Sequence, residues 1–336
     1  MTILGYRIPA VRATFRLPPF ALRLAIAALV LASSAAFAQG YPARPIRLIV
    51  PFPPGGGTDV TARILAQALA DGPGWQLVVE NRPGATGRIG TELAAKAAPD
   101  GYTLLAGTAG PNAILPAAYP KLPYDALKDF APVTLVDSAD YVLVVHPSLP
   151  VWSVKDMIAL ARSKPGQITF ASAGNLSVGH MAGELFKHYA KVDMTHVAYK
   201  GGGPAVIATV SGETAIYFGG PSVVQQSKAG QLRAVAATGT KRSRIFPELP
   251  PIAEFLPGYA ISQWVGILAP AGTPREIVTV LHATISKVLR SDKVTEQFAK
   301  AGSERIASSP EEFSAHIRAE IAKWRTVLKG YNVPLE

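Results

Sequence analysis

Ile46-Arg47-Leu48-Ile49-Val50-Pro51-Phe52-Pro53-Pro54-Gly55-Gly56-Gly57-Thr58-Asp59 is the stretch from which the fold can be read. The apolar run reads as a buried strand and the Pro/Gly segment as a turn. Val60, Ile64, Leu65, Ala68 and Leu69 then continue with helical spacing. Glycines let a backbone approach a ligand without interference from Cβ. Thr58 or Asp59 is placed to cap the helix, whose first N–H groups point into the loop. Strand, glycine turn and helix N-terminus together make an anion site. Which anion, and whether it is held or transformed, depends on the rest of the chain.

The same unit recurs. Strands are expected over 47–50, 75–80 and 102–106, with helices over 60–70 and 90–97, the latter after the glycine-rich segment 81–87. This βαβα rhythm predicts a mostly parallel α/β sheet. Apolar strands over 133–136 and 141–146 lie near a crossover. A second βα series runs over 134–258. Its first helix, 153–162, has Ser153 as cap and Asp156 at the third helical position, a capping-box-like start. Strands over 168–172, 196–199 and 214–218 alternate with helices over 180–189 and 205–211. A strand over 259–268 precedes amphipathic helices over 277–289, 291–301 and 310–328, which must bury their apolar faces against the first lobe. The chain therefore crosses between lobes twice, near 132–142 and 255–266, as a hinge requires. The expected organisation is one lobe from 39–138 with 263–336, and a second from 139–262.

The first 38 residues read as a secretory signal peptide. Arg7, Arg12, Arg16 and Arg23 form a basic leader without acids, 24–32 is apolar, and Ala36-Phe37-Ala38 is a small-x-small cleavage signal. The apolar run is shorter than the ~20 residues of a spanning helix. Cleavage after Ala38 and a periplasmic location are expected. There is no cysteine, so disulfides and thiolate chemistry are excluded and the protein must rest on its own core. The formal charge falls from +10 to +6 once the four leader arginines are set aside. Basic residues are dispersed, which argues against nucleic acid and leaves a mild field favouring anionic small molecules.

Four glycine-rich strand-to-helix loops stand out: 51–59, 107–112, 172–179 and 200–204. Any one of them also serves as a tight α/β connection; together, at the C-terminal ends of strands, they favour a ligand cleft. The first lacks the lysine of a P-loop and the third glycine of a dinucleotide fingerprint. Gly174-Asn175-Leu176-Ser177-Val178-Gly179 has one residue too many before the serine to be a nucleophile elbow. A triad is geometric, so Ser177 with His146, His180 or His196 stays open as an exported hydrolase. His180, Glu184 and His188 share a helix face, but their spacing fits a surface Glu184–His188 pair better than a metal site. Asp59 would repel a carboxylate directly, so it is expected to order its loop or hold a water.

Several segments resemble the Bug-type substrate-binding proteins of tripartite tricarboxylate transporters. They are Tyr41-Pro42-x-Arg44-Pro45-Ile46, the 51–59 loop, Val79-Glu80-Asn81-Arg82-Pro83-Gly84-Ala85, Ala98-Pro99-Asp100-Gly101-Tyr102-Thr103-Leu104, Ser172-Ala173-Gly174, His180-Met181-Ala182-Gly183-Glu184-Leu185-Phe186, Tyr199-Lys200-Gly201-Gly202-Gly203-Pro204-Ala205 and Ala269-Pro270-Ala271-Gly272-Thr273-Pro274. The resemblance covers essentially the whole mature chain. It implies an α/β periplasmic binding protein fold of type II, with two α/β lobes joined by a two-strand hinge. It implies that Gly56, Gly57, Thr58, Thr108 and Asn112 from one lobe, and Ser172, Asn175 and Ser177 from the other, hold a carboxylate, with Phe52 lining the cleft and Asp59 ordering the loop. Many members carry an aspartate after the strand written here as Ile216-Tyr217-Phe218, where this chain has Gly219-Gly220-Pro221; the strand opens Thr214-Ala215 in place of the usual Val-Asp. Gly219 thus removes a partner for a ligand ammonium group, and a plain carboxylate, aromatic acids included, is expected over an amino acid.

The resulting expectation is a monomeric receptor without catalysis, metal or cofactor, which closes on a small carboxylate and docks on membrane permease subunits. The exported hydrolase, and presentation of ligand to a sensor kinase, are the readings it competes with.

Overall fold

The computed structural model describes residues 40–221, 223–243 and 245–331; the leader and the cleavage site after Ala38 lie outside the described residues. Two sheets account for the strands. In the first, β1 (Ile46–Val50) is followed by α1 (Gly57–Asp71), β2 (Leu77–Asn81), α2 (Arg88–Ala95) and β3 (Thr103–Thr108). A short wide turn, Gly110–Ile114, leads into α3 (Leu115–Ala118) and then β4 (Phe130–Asp140). In the second, β5 (Val142–Val145), α4 (Val154–Ser163), β6 (Thr169–Ser172), α5 (Val178–Ala190), β7 (Thr195–Ala198), α6 (Gly202–Val210), β8 (Ile216–Gly219), α7 (Val223–Lys228) and β9 (Arg233–Ala237) follow in order. The chain then returns through β10 (Ser262–Pro270), α8 (Arg275–Leu289), α9 (Asp292–Lys300), β11 (Glu304–Arg305) and α10 (Pro310–Tyr331).

Strand order is β11-β4-β10-β3-β1-β2 in one sheet and β7-β6-β8-β5-β9 in the other. The βα units are parallel, as expected: β1 pairs in parallel with β2 and β3, and β6 with β7 and β8. The strands that arrive from the other sheet are antiparallel, β10 against β3 and β4, and β5 against β8 and β9. The reason is directional. β4 runs towards the same end as β3, so its continuation as β5 enters the second sheet running away from that end; β10 does the same on the way back. The C-terminal ends of β1, β3, β6 and β8 therefore face the region where the chain changes sheets.

The apolar runs become cores. Leu48, Ile49 and Val50 are buried, as are Val142–Val145 and Phe170. The C-terminal helices do return to the first sheet. α8 lies on α1 and β4, and α10 crosses β4 and the 110–118 segment, where Phe313 packs edge-on to Trp264 and Ile317 and Trp324 are buried in the same core. Ser153 caps α4 as expected, accepting the Asp156 N–H at 3.2 Å.

Two expectations need correction. Neither Thr58 nor Asp59 caps α1: the helix starts at Gly57, three residues before the expected 60, and the cap position falls on Gly56, with no side-chain cap. Glu184 and His188 do not form a surface pair. Glu184 is buried and bonds Lys187 at 3.0 Å, while His188 is exposed. The face of α5 that carries Glu184 turns inward because Gly183 beside it packs directly on the Phe170 ring.

Candidate functional site

The first jaw is built on β1, β2 and β3. Asp59 is buried in the first turn of α1 and reaches back over its own loop. Its carboxylate accepts the Gly55 N–H at 2.9 Å, Arg63 Nε at 2.8 Å and Asn81 Nδ2 at 2.9 Å. Asn81 also donates to the Phe52 carbonyl at 3.0 Å, tying the end of β2 to the loop after β1. Burial favours the neutral carboxyl, but the hydrogen bonds from Arg63, Gly55 and Asn81 outweigh it and hold Asp59 below the usual carboxylate range. Asp59 thus orders the loop, and the first N–H groups of α1 are left without a side-chain cap. Gly56 and Gly57 are exposed and Thr58 is buried. The half-buried Phe52 ring lies over Gly87.

At the end of β3, Asn112 Oδ1 accepts the Thr108 N–H at 2.9 Å. Both residues are fully buried, and Thr108 Oγ1 and Asn112 Nδ2 have no hydrogen-bond partner among the described residues. A buried donor or hydroxyl left unpaired costs ~1–3 kcal/mol, and here two such atoms stand together at the end of one strand.

The second jaw is satisfied from within. Ser172 Oγ accepts the Gly174 N–H at 3.1 Å and lies 2.6 Å from His196 Nε2. Ser177 caps α5, accepting the His180 N–H at 3.3 Å. His180 Nδ1 accepts the Leu176 N–H at 2.9 Å, which puts its proton on Nε2, towards Glu184. The His180 and His196 rings stack 3.8 Å apart beside Phe170. Burial pushes His180 down to about 3, with the charges of His196 and Lys187 adding to it, and His196 down to about 4. Two neutral rings therefore hold the 172–177 loop in shape.

The jaws touch. Thr86 Oγ1, from the turn after β2, donates to the Asn175 carbonyl at 2.7 Å, and Pro53 lies against Gly201. The structure thus brings together the 51–59, 85–87, 107–112, 172–177 and 199–203 segments. Gly219 enters differently from expectation. It is a buried strand residue paired with Val142, and a Cβ there would overlap Val223 and the Tyr217 ring. It offers no side-chain position facing the cleft. Thr86 is the residue that sequence reasoning missed; His196, considered there only as a base for Ser177, instead braces Ser172. Thr86 sits inside the noted glycine-rich segment, but nothing in the pattern says that its hydroxyl crosses to another sheet.

The competing chemistries lose their geometry. Ser177 Oγ is a helix cap, and Ser172 is fully buried with its hydroxyl shared between Gly174 and His196, so neither presents a nucleophile. Among the described residues no group of three His, Cys, Asp or Glu could hold a metal. An open groove between α1, α8 and α9 lies away from these loops, and its Asp71 and Lys293 pair with each other at 2.8 Å. None of the described helices is long and apolar enough to cross a membrane.

Two α/β sheets joined by crossing strands, with glycine loops meeting at their C-terminal ends, define the class of two-lobed solute receptors. A family model described as tripartite tricarboxylate transporter family receptor matches residues 61–333, and the chain belongs to that family. Protein BugT of Bordetella pertussis is 39% identical over 302 residues, which are 89% of this chain and 93% of that protein. The Rhodopseudomonas palustris protein Rpa4515, solved with adipate, is 37% identical with a TM-score of 0.84, covering 87% of this chain and 99% of the other. MatC from the same organism, solved with bound malate, is 31% identical with a TM-score of 0.80, covering 86% and 100%. Proteins of this family are periplasmic substrate-binding proteins, and the chain is a solute-binding protein, not an enzyme.

Proposed function

We propose that this protein captures a small, plain carboxylate between two lobes and delivers it, as a monomer, to the membrane permease subunits of a tripartite tricarboxylate transporter. The observation that carries the reading is the pair of buried, unpartnered atoms Thr108 Oγ1 and Asn112 Nδ2. They stand at the end of β3, whose neighbour β1 leads into the uncapped N-terminus of α1. A carboxylate accepts hydrogen bonds from all of these groups, and the helix dipole favours its charge.

In this reading the first lobe (39–138 and 263–336) makes the primary contacts through Gly56, Gly57, Thr58, Thr108 and Asn112. The second (139–262) closes over them with the Ser172–Ser177 loop. The hinge lies where β4 passes into β5 and where the chain returns into β10. Adipate and malate in relatives 37% and 31% identical support a carboxylate ligand here. Neither adipate nor malate carries an ammonium group, which supports plain acids over amino acids here. Export with cleavage after Ala38 belongs to the same proposal.

Calorimetry with succinate, malate, adipate, citrate and benzoate, against glutamate and aspartate, tests it. Binding of at least one plain acid, with amino acids weaker, is expected; at 100 times its Kd that acid stabilises the fold by ~2.7 kcal/mol. Tight binding of glutamate or aspartate alone would overturn the ligand class.

A further inference from the structure

We propose that Thr86 is the clasp of this receptor: its hydroxyl holds the two lobes together by donating to the Asn175 carbonyl, and so sets the balance between closed and open forms. This rests on the reading of the two sheets as hinged lobes.

The local backbone is unusual. Gly84, Ala85, Thr86 and Gly87 all have positive φ, at 132°, 47°, 55° and 90°. The two glycines adopt such angles freely, but a β-branched residue in the left-handed region is an outlier. Residues held this way persist only where their surroundings over-determine them, and they cluster at clamps and switches. The surroundings here act on both branches of the side chain. The Thr86 methyl leans towards Gly110 of its own lobe, 3.7 Å from where a Cβ would stand, while Oγ1 points across to Asn175 O at 2.7 Å. On the far side, Gly174 has φ 127°, which glycine adopts freely, and it lies in ordinary contact with Thr86 Oγ1.

The acceptor is as fixed as the donor. Leu176 next to it is also left-handed, at φ 58°. Its N–H is tied to His180, and the Gly174 N–H to Ser172. Two further contacts between the lobes among the described residues, Pro53 against Gly201 and Gly302 against Pro221, are apolar and have no directional preference. A single directional hydrogen bond between two rigid loops is therefore made only at one closure geometry. Because the hydroxyl donates to protein, Thr86 is a positioning residue and not a ligand contact.

The chain has no cysteine, so two can be introduced for labelling. Lys155→Cys on α4 and Glu276→Cys on α8 place exposed labels beside the second and first sheets. Energy transfer is read in this background, in Thr86→Ala and in Thr86→Ser, first without added acid and then with malate or adipate. Thr86→Ala is expected to lower the closed-to-open ratio about fivefold, the worth of one ordinary hydrogen bond. Thr86→Ser, which keeps the hydroxyl, restores it. Distributions that are identical in Thr86→Ala and the parent, or Thr86→Ser behaving like Thr86→Ala, would overturn the clasp. The acid-free measurement stands apart from the ligand proposal. A shift in Thr86→Ala with no response to any acid supports the clasp and fails the carboxylate reading; the converse fails the clasp alone.

Discussion

Thr108 shows how a proposed binding residue differs from a structural one. Its backbone N–H is satisfied by Asn112, yet its hydroxyl is buried and unpaired, with no stabilising return in the fold itself. Thr108→Val removes that hydroxyl at nearly constant shape. The protein should then become more stable without ligand, by up to ~1 kcal/mol, because an unsatisfied polar group has gone. Affinity for the acid should fall about 10-fold or more, since a hydrogen bond to a charged group is worth ~1.5–3 kcal/mol. Denaturant titration and calorimetry on one preparation check both signs. A loss of stability together with unchanged affinity would mean that the hydroxyl serves the fold. Asp59 is the contrasting case. It is buried, ionised and fully engaged with Gly55, Arg63 and Asn81, which is how an acid can stand inside the loop proposed to bind a carboxylate: its charge is turned away into the loop.

At the level of elements, α5 carries the second jaw, and its fit on β6 is set by Gly183. A Cβ there would overlap the Phe170 ring, and that ring is itself wedged against His196 at 4.9 Å. Gly183→Ala gains up to ~1 kcal/mol of helix propensity, but overpacking a filled core costs ~1–3 kcal/mol. The clash falls on a ring that cannot retreat, so the second effect should win, with a lower Tm and weaker binding through displaced His196 and Ser172. An unchanged Tm would show that Phe170 can move. The strand–loop–helix units were legible in the sequence because each is local: an apolar run, a glycine turn and a 3.6-residue period lie within twenty residues of one another. The antiparallel entry of β5 and β10 follows once the crossings are placed. What was not legible depends on contacts distant in sequence. Glu184 reads as a surface residue until α5 is seen to pack by its glycine. Gly219 reads as a vacant ligand position until Tyr217 and Val223 are seen to fill the space. Thr86 and Asn175 are 89 residues apart, and no periodicity links them.

For the whole molecule, the two sheets carry opposite buried ionisation. Burial pushes Asp137 up to about 6 on the first sheet, and burial with the nearby Glu304 does the same to Asp140 at its end. Beside the second sheet His180 and His196 are pushed down to about 3 and about 4. A raised carboxyl contributes stability that is full below its unfolded value of ~3.9 and is lost as pH rises through its folded value. A depressed histidine contributes stability that is full above ~6.5 and is lost as pH falls towards its folded value. Between about pH 4 and 6 the two pairs therefore act with opposite slopes, each group contributing at most ~1.4 kcal/mol per pH unit, and nearly cancel. Asp137→Asn removes one carboxyl from this balance. The stability of that variant should rise with pH across this window more steeply than that of the unaltered protein, by up to ~1.4 kcal/mol per unit. Any loss of the Thr61 hydrogen bond, 2.8 Å in the structure, would shift the whole curve without changing its slope. Denaturant titrations at half-unit steps separate slope from offset. Parallel curves would mean that Asp137 is ionised in the fold throughout this range; a steeper curve would show that the two sheets balance each other's protons, so that mild acid alone does not spring the receptor apart.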